Sequence, residues 1–156
     1  GEGGRAIFTD MGLKCLCTAL MLLLSALTRG AETNEMRTIA KGALSGIQEE
    51  GRLVVTNQTG WEALWRRHTL HTEPKEPAPK VDFDKETVLA VMQGRQRTGG
   101  YAIEITGVER SEKTAVVRFR ERRPKPGGIT IQALTAPFHI VAAPKIEGKV
   151  EFKPAE

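Results

Sequence analysis

The chain has 156 residues, of which 27% are charged, with 23 Lys and Arg against 19 Asp and Glu. That length sets one domain of ordinary size. The mild positive balance, with one tyrosine and scattered lysines, argues against nucleic acid as a partner. Both cysteines, Cys15 and Cys17, fall in an N-terminal apolar run, which excludes a disulfide framework or a cysteine-based zinc centre for the rest of the chain.

Residues 1–10 have no targeting character and are read as an artefact of start-site choice, with translation beginning at Met11. Residues 11–30 have the three parts of a signal peptide: basic Lys14, an apolar stretch from Cys15 to Leu27, and small residues at Thr28 and Gly30. The stretch is shorter than the roughly 20 residues a bilayer span needs, so no stable membrane span is expected after cleavage. Neither cysteine is preceded by the small residues a lipid-anchor site requires. Cleavage after Gly30 leaves 126 residues with 20 Lys and Arg against 17 Asp and Glu. Residues 31–37 read as a disordered leader, and residues 38–154 as the folded domain.

Leu53 and Val55 mark a short β-prone run. Thr59-Gly60-Trp61-Glu62 has the form of a capping box, opening a helix over about Gly60 to Leu70. Trp61, Leu64, Trp65 and His68 then share one face of that helix. Pro74, Pro77 and Pro79 make residues 72–81 an extended connector. Thr87 to Met92 is continuously apolar, as in a central strand covered on both faces. Ile103 and Ile105 alternate with polar neighbours, as do Ala115, Val117 and Phe119, and the turn signal Ser111-Glu112-Lys113 joins the two runs into an antiparallel hairpin. Ile129 and Ile131 are expected to begin a further strand facing inward, interrupted at Ala136-Pro137 and resumed at Phe138. Lys149 to Phe152 forms the last strand. The fold class is therefore mainly β, a β-sandwich or strongly bent antiparallel sheet of six to seven strands, with one short capped helix covering a face or end.

Few residues here can do covalent chemistry. His68 and His71 lie three apart across the helix end, and with Asp82 they define an alternative reading as a metal protein or enzyme. Structural zinc needs four ligands, so the histidines are read first as an edge of the tryptophan face and a surface residue. Ser45 and Ser111 do not sit in a nucleophile elbow, and phosphate-loop and dinucleotide patterns are absent. No catalytic residue, metal or cofactor is expected. The candidate contacts for a partner are Arg97, Thr98, Gly99, Gly100 and Tyr101, where two glycines permit close approach by another backbone, together with Arg122, Arg123 and Lys125 in the neighbouring basic loop.

Several pieces resemble the PrcB-like domain family, named for a subunit of a protease complex. They are Ser45-Gly46-Ile47, then Trp61, Leu64-Trp65 and His68, then Pro79-Lys80-Val81-Asp82-Phe83. They continue with Gly94, Thr98-Gly99-Gly100-Tyr101 and Ile103, then Pro124, Pro126-Gly127 and Gln132, and close on Leu134-Thr135-Ala136-Pro137-Phe138. Their order holds over residues 44–145. The resemblance implies a small exported protein of a bacterial envelope, periplasmic or extracellular, that is not an enzyme. It also implies an accessory or stabilising role beside another protein, such as an exported protease. Thr98 to Tyr101 is also similar to one loop of chagasin-type protease inhibitors, which leaves direct inhibition open.

Overall fold

The computed structural model describes residues 36–156. The segments read as start-site artefact and signal peptide, and all but the last two residues of the expected leader, lie outside the described residues. Seven strands and one helix follow in the order β1 (Arg37–Gly42), β2 (Glu50–Val55), α1 (Gln58–His68), β3 (Glu86–Gln93), β4 (Ala102–Arg110), β5 (Thr114–Arg122), β6 (Phe138–Pro144) and β7 (Lys149–Pro154). The fold is mainly β, as the alternation in the sequence requires. The strands form two sheets, β1-β6-β3-β2 and β4-β5-β7.

The unbroken apolar character of β3 follows from its place. It lies between β6 and β2 and is buried from Thr87 to Gln93. Leu89 and Val91 join Ile103, Ile105, Val117, Phe119 and Val141 in the core between the sheets. Val88, Ala90 and Met92 face the opposite way, against Ile47, Trp61, Leu64, Phe138 and Ile140. The molecule is thus layered as helix and connector, four-stranded sheet, three-stranded sheet, and the middle sheet must be apolar on both faces.

The hairpin β4–β5 is antiparallel, from Ala102 opposite Arg122 to Arg110 opposite Ala115, with an irregularity between Ile105 and Gly107. That irregularity shifts the inward side by one residue, so Val108 is buried after Ile103 and Ile105. Strand β7 pairs parallel to β5, which the hairpin pattern does not foretell: the chain first passes through β6 in the other sheet and returns.

Three expectations need correction. Helix α1 begins at Gln58, and its cap is Asn57, whose side-chain oxygen accepts the Gly60 N–H at 2.8 Å. Thr59 is therefore inside the helix and not its cap, and Glu62 bonds to Gln58 Nε2 at 3.0 Å. Residues 129–132 form no strand, and Ile129 and Ile131 face solvent at 103% and 78% exposure. Finally, Arg37, assigned to the leader, opens β1 and pairs with Glu86 at 2.8 Å.

The connector is held by the tryptophans. Trp61 Nε1 donates to the Pro79 carbonyl at 2.8 Å, and Trp65 Nε1 to that of Glu76 at 3.1 Å. Trp61 is wholly buried while Trp65 is half-buried. Each indole thus covers apolar area and gives the proline-rich strap a donor.

Candidate functional site

The two loops named as partner contacts are neighbours. Gln96 and Thr135 exchange backbone hydrogen bonds at 2.7 and 3.0 Å, and the Gly99 N–H donates to the Ile131 carbonyl at 2.8 Å. Thr135 Oγ1 donates to the Thr98 carbonyl at 2.9 Å. The second loop is tied in turn to the segment after β1, through Ala136 N–H to the Ala43 carbonyl and Ser45 N–H to the Ala136 carbonyl. Residues 43–48, 94–101 and 122–137 therefore make one continuous surface.

Both glycines lie against this chain's own second loop. A Cβ on Gly99 would stand 3.6 Å from Ile131 Cβ, and one on Gly100, whose φ is +88°, would stand 3.1 Å from Pro124 Cβ. Only at Gly100 is the approach tight, made by Pro124 of this chain's own second loop; a Cβ at Gly99 would make an ordinary contact. Thr130 packs there too, its Cγ2 3.4 Å from that same Gly100 position. With Thr130 half-buried, the flanking Ile129 and Ile131 must point outward. Leu134 and Leu44 are also exposed, at 55% and 73%.

The same loops carry five cations, of which Arg122 lines a separate hollow of about 360 Å³ with Lys41, Glu104 and Arg120. Arg95, Arg97, Arg122, Arg123 and Lys125 are all exposed, and residues 94–101 and 122–137 contain no Asp or Glu. Arg123 has a partner, Glu121, at 3.4 Å, but Glu121 also receives Arg52 at 2.9 Å. Beside the aliphatics a hollow of about 450 Å³ is lined by Leu44, Ser45, Leu134 and Ala136 on one side and by His71 and Glu73 on the other. A second hollow, about 630 Å³, lies between α1 and the connector, where Trp65, Leu70, Pro77 and Ala78 contribute.

The structure does not bring His68, His71 and Asp82 together, which corrects the alternative metal reading. His68 is buried on α1, stacked between Trp65 and Phe138 at ring separations of 5.3 and 4.2 Å. His71 lies at the hollow's wall. Asp82 builds a turn, with Oδ1 accepting the Asp84 N–H at 3.0 Å and its carbonyl accepting from Lys85 and Glu86. Among the described residues, no three His, Cys, Asp or Glu side chains converge to hold a metal.

Sequence reading missed the partner of His68. Its Nδ1 is hydrogen-bonded to Ser45 Oγ at 3.0 Å, and that oxygen also accepts the Ile47 N–H at 3.1 Å. Both side chains are buried, and burial pushes the imidazole below its usual pKa. Gly46 between them is set hard against the helix end: a Cβ there would lie 2.3 Å from the Arg67 carbonyl oxygen, and its N–H donates to the His68 carbonyl at 2.7 Å. Ser45-Gly46-Ile47 is thus a staple that fastens the chain to the end of α1. Its signal in the sequence is only a small residue between a hydroxyl and an apolar side chain, too common to find it by.

Comparison with known proteins agrees with the resemblance read from the residues. No curated protein and no solved structure matches the chain. Residues 87–144 match the sequence model of the PrcB C-terminal family. That segment runs from the second residue of β3 to the last of β6, and so includes both loops of the surface. The similarities noted from Ser45 to Phe83 lie upstream of it. Over residues 87–144, then, this chain is similar to the PrcB C-terminal family.

Proposed function

We propose that the chain is an exported, non-catalytic protein-binding domain that serves as an accessory or stabilising subunit of a secreted protease complex. One observation carries the binding role: four exposed aliphatic side chains, Leu44, Ile129, Ile131 and Leu134, on loops whose backbones are tied together. Aliphatic groups scattered singly are ordinary, but four on loops that are hydrogen-bonded to one another, two of them lining one hollow, have the character of an interface. The protease association comes from the family's name alone, and the export from the sequence of residues 11–30. The non-catalytic reading is supported by the Ser45–His68 pair, in which the hydroxyl oxygen accepts a backbone N–H and the imidazole meets aromatic rings. Among the described residues no carboxylate is bonded to that ring to orient it as a base.

The test is recovery of the partner with affinity-tagged chain from its own cells and identification by mass spectrometry. A protease or a protease-bound polypeptide is expected, captured at least tenfold less by Leu134→Asp, with thermal unfolding unchanged because Leu134 is exposed. Equal capture by the variant, or substrate turnover by the purified chain, overturns the reading. Export is tested by N-terminal sequencing of chain recovered outside the cytoplasm, which is expected to start next to Gly30 or Ala31.

A further inference from the structure

We infer that the polypeptide received by this surface is acidic: a segment that sets Asp and Glu against the loop cations and seats an aliphatic side chain in the hollow beside Leu134. The inference rests on the binding role proposed above and names the chemistry of the partner.

The argument is one of charge placement. Residues 36–156 hold 20 Lys and Arg against 15 Asp and Glu. The loops 94–101 and 122–137 hold five of those cations and no carboxylate, so the rest of the domain is neutral and its whole excess lies on one surface. Elsewhere cations stand among carboxylates, and several are paired with them, as in Arg37–Glu86, Lys41–Glu104, Arg118–Glu109 and Lys149–Glu151. Arg95, Arg97, Arg122 and Lys125 have no side-chain hydrogen bond or ion pair among the described residues, as is also true of Arg66, Lys80, Lys113, Arg120 and Lys145, but only these loops combine unmatched cations with an absence of carboxylates. An unmatched band of one sign steers a partner of the opposite sign and penalises any other.

The aliphatics decide the class of partner. Single-stranded nucleic acid is gripped by aromatic stacking, and these loops offer only Tyr101. A lipid surface takes a projecting apolar edge, whereas Leu44, Leu134 and Ala136 line a hollow of about 450 Å³ whose other wall is polar and includes His71 and Glu73. A concavity beside charge fits a polypeptide anchor in a pocket with polar contacts at its rim.

The experiment measures binding of the purified full chain to fluorescein-labelled synthetic 12-residue peptides. One alternates Glu and Asp with Leu and Ile; a second replaces the acids by Lys; a third keeps the acids and replaces the aliphatics by Ser. The first is expected to bind at least tenfold more tightly than either of the others, and more weakly as salt rises from about 50 to 200 mM. The variant Arg97→Glu/Arg122→Glu/Lys125→Glu, all at exposed positions, is expected to lose at least tenfold with thermal unfolding unchanged. Equal binding of the acidic and basic peptides, salt-independent binding, or an indifferent variant overturns the inference. So does tighter binding to phosphatidylglycerol vesicles or to a 12-residue oligothymidylate than to the acidic peptide. If native partner capture still depends on Leu134 while the acidic preference fails, the binding role stands and only this inference falls. If Leu134→Asp leaves capture intact, the binding role itself is wrong.

Discussion

His139 is the residue on which most local physics converges. It sits on β6 facing the core between the sheets, and its Nδ1 accepts the backbone N–H of Ile105 on β4 at 2.9 Å. Nδ1 must therefore be unprotonated, and the ring proton is on Nε2, 2.9 Å from Thr38 Oγ1. One neutral imidazole thus joins three strands from two sheets. Burial, helped by Lys41, holds its pKa down to about 4. Since the unfolded chain protonates this group near 6.5, it binds more protons than the folded chain between about pH 6.5 and 4. Its stabilising effect is complete above that window and is lost as pH falls through it, by about 1.4 kcal/mol per pH unit. Urea unfolding is expected to show a loss of about 2 kcal/mol between pH 6.5 and 5, above the range where Glu86 and Glu104, whose pKa values are lowered by Arg37 and Lys41, begin to protonate. His68 acts in the same direction. His139→Leu is expected to lower stability at pH 7 by about 2–3 kcal/mol, by orphaning the Ile105 N–H, and to remove His139's share of the pH slope. A variant with an unchanged slope would refute this account.

At the scale of the element, α1 shows how tertiary geometry chooses between two local signals. Asn57 and Thr59 are both good capping residues, and Glu62 favours Thr59 through the box pattern. The structure uses Asn57, two residues past the end of β2 at Val55, with extended backbone at φ −148°. Starting the helix at Gln58 adds about half a turn before Trp61, whose indole donates to the Pro79 carbonyl. Asn57→Ala is expected to cost about 1 kcal/mol in chemical denaturation and Thr59→Ala clearly less. The reverse order would restore Thr59 as the cap. The segment 129–134 presents the opposite case. Its β-branched residues and alternation are those of a strand, but the Ile131 carbonyl is taken by the N–H groups of Gly99 and Ala133. The inward places beside it go to Thr130, Ala136 and Pro137, and no second strand is there to take a ladder.

At the scale of the whole molecule, the sheets are coupled at the edge strand β2 as well as through His139. Half-buried Arg52 on β2 reaches Glu121 on β5 at 2.9 Å and lies over the Phe119 ring at 4.3 Å. A double-mutant cycle on Arg52 and Glu121 is expected to give a coupling of about 1 kcal/mol, and one on the exposed pair Arg67 and Glu49, 3.5 Å apart, close to none. Comparable values for both pairs would show that partial burial adds nothing to the first. The amino-acid order by itself determined what depends on period and on burial by type: β3 apolar throughout, the β4–β5 hairpin alternating, the tryptophan face of α1, and the nearness of two basic loops that flank a hairpin. Tertiary structure alone decided what depends on which distant backbone arrives beside a residue. The parallel return of β7, the pairing of Ser45 with His68, the use of Gly99 and Gly100 by the chain's own loop, and the outward turn of Ile129 and Ile131 are all of that kind. A pattern along one strand records which face is apolar, but the neighbour that covers that face, or leaves it bare, is set only when remote segments pack.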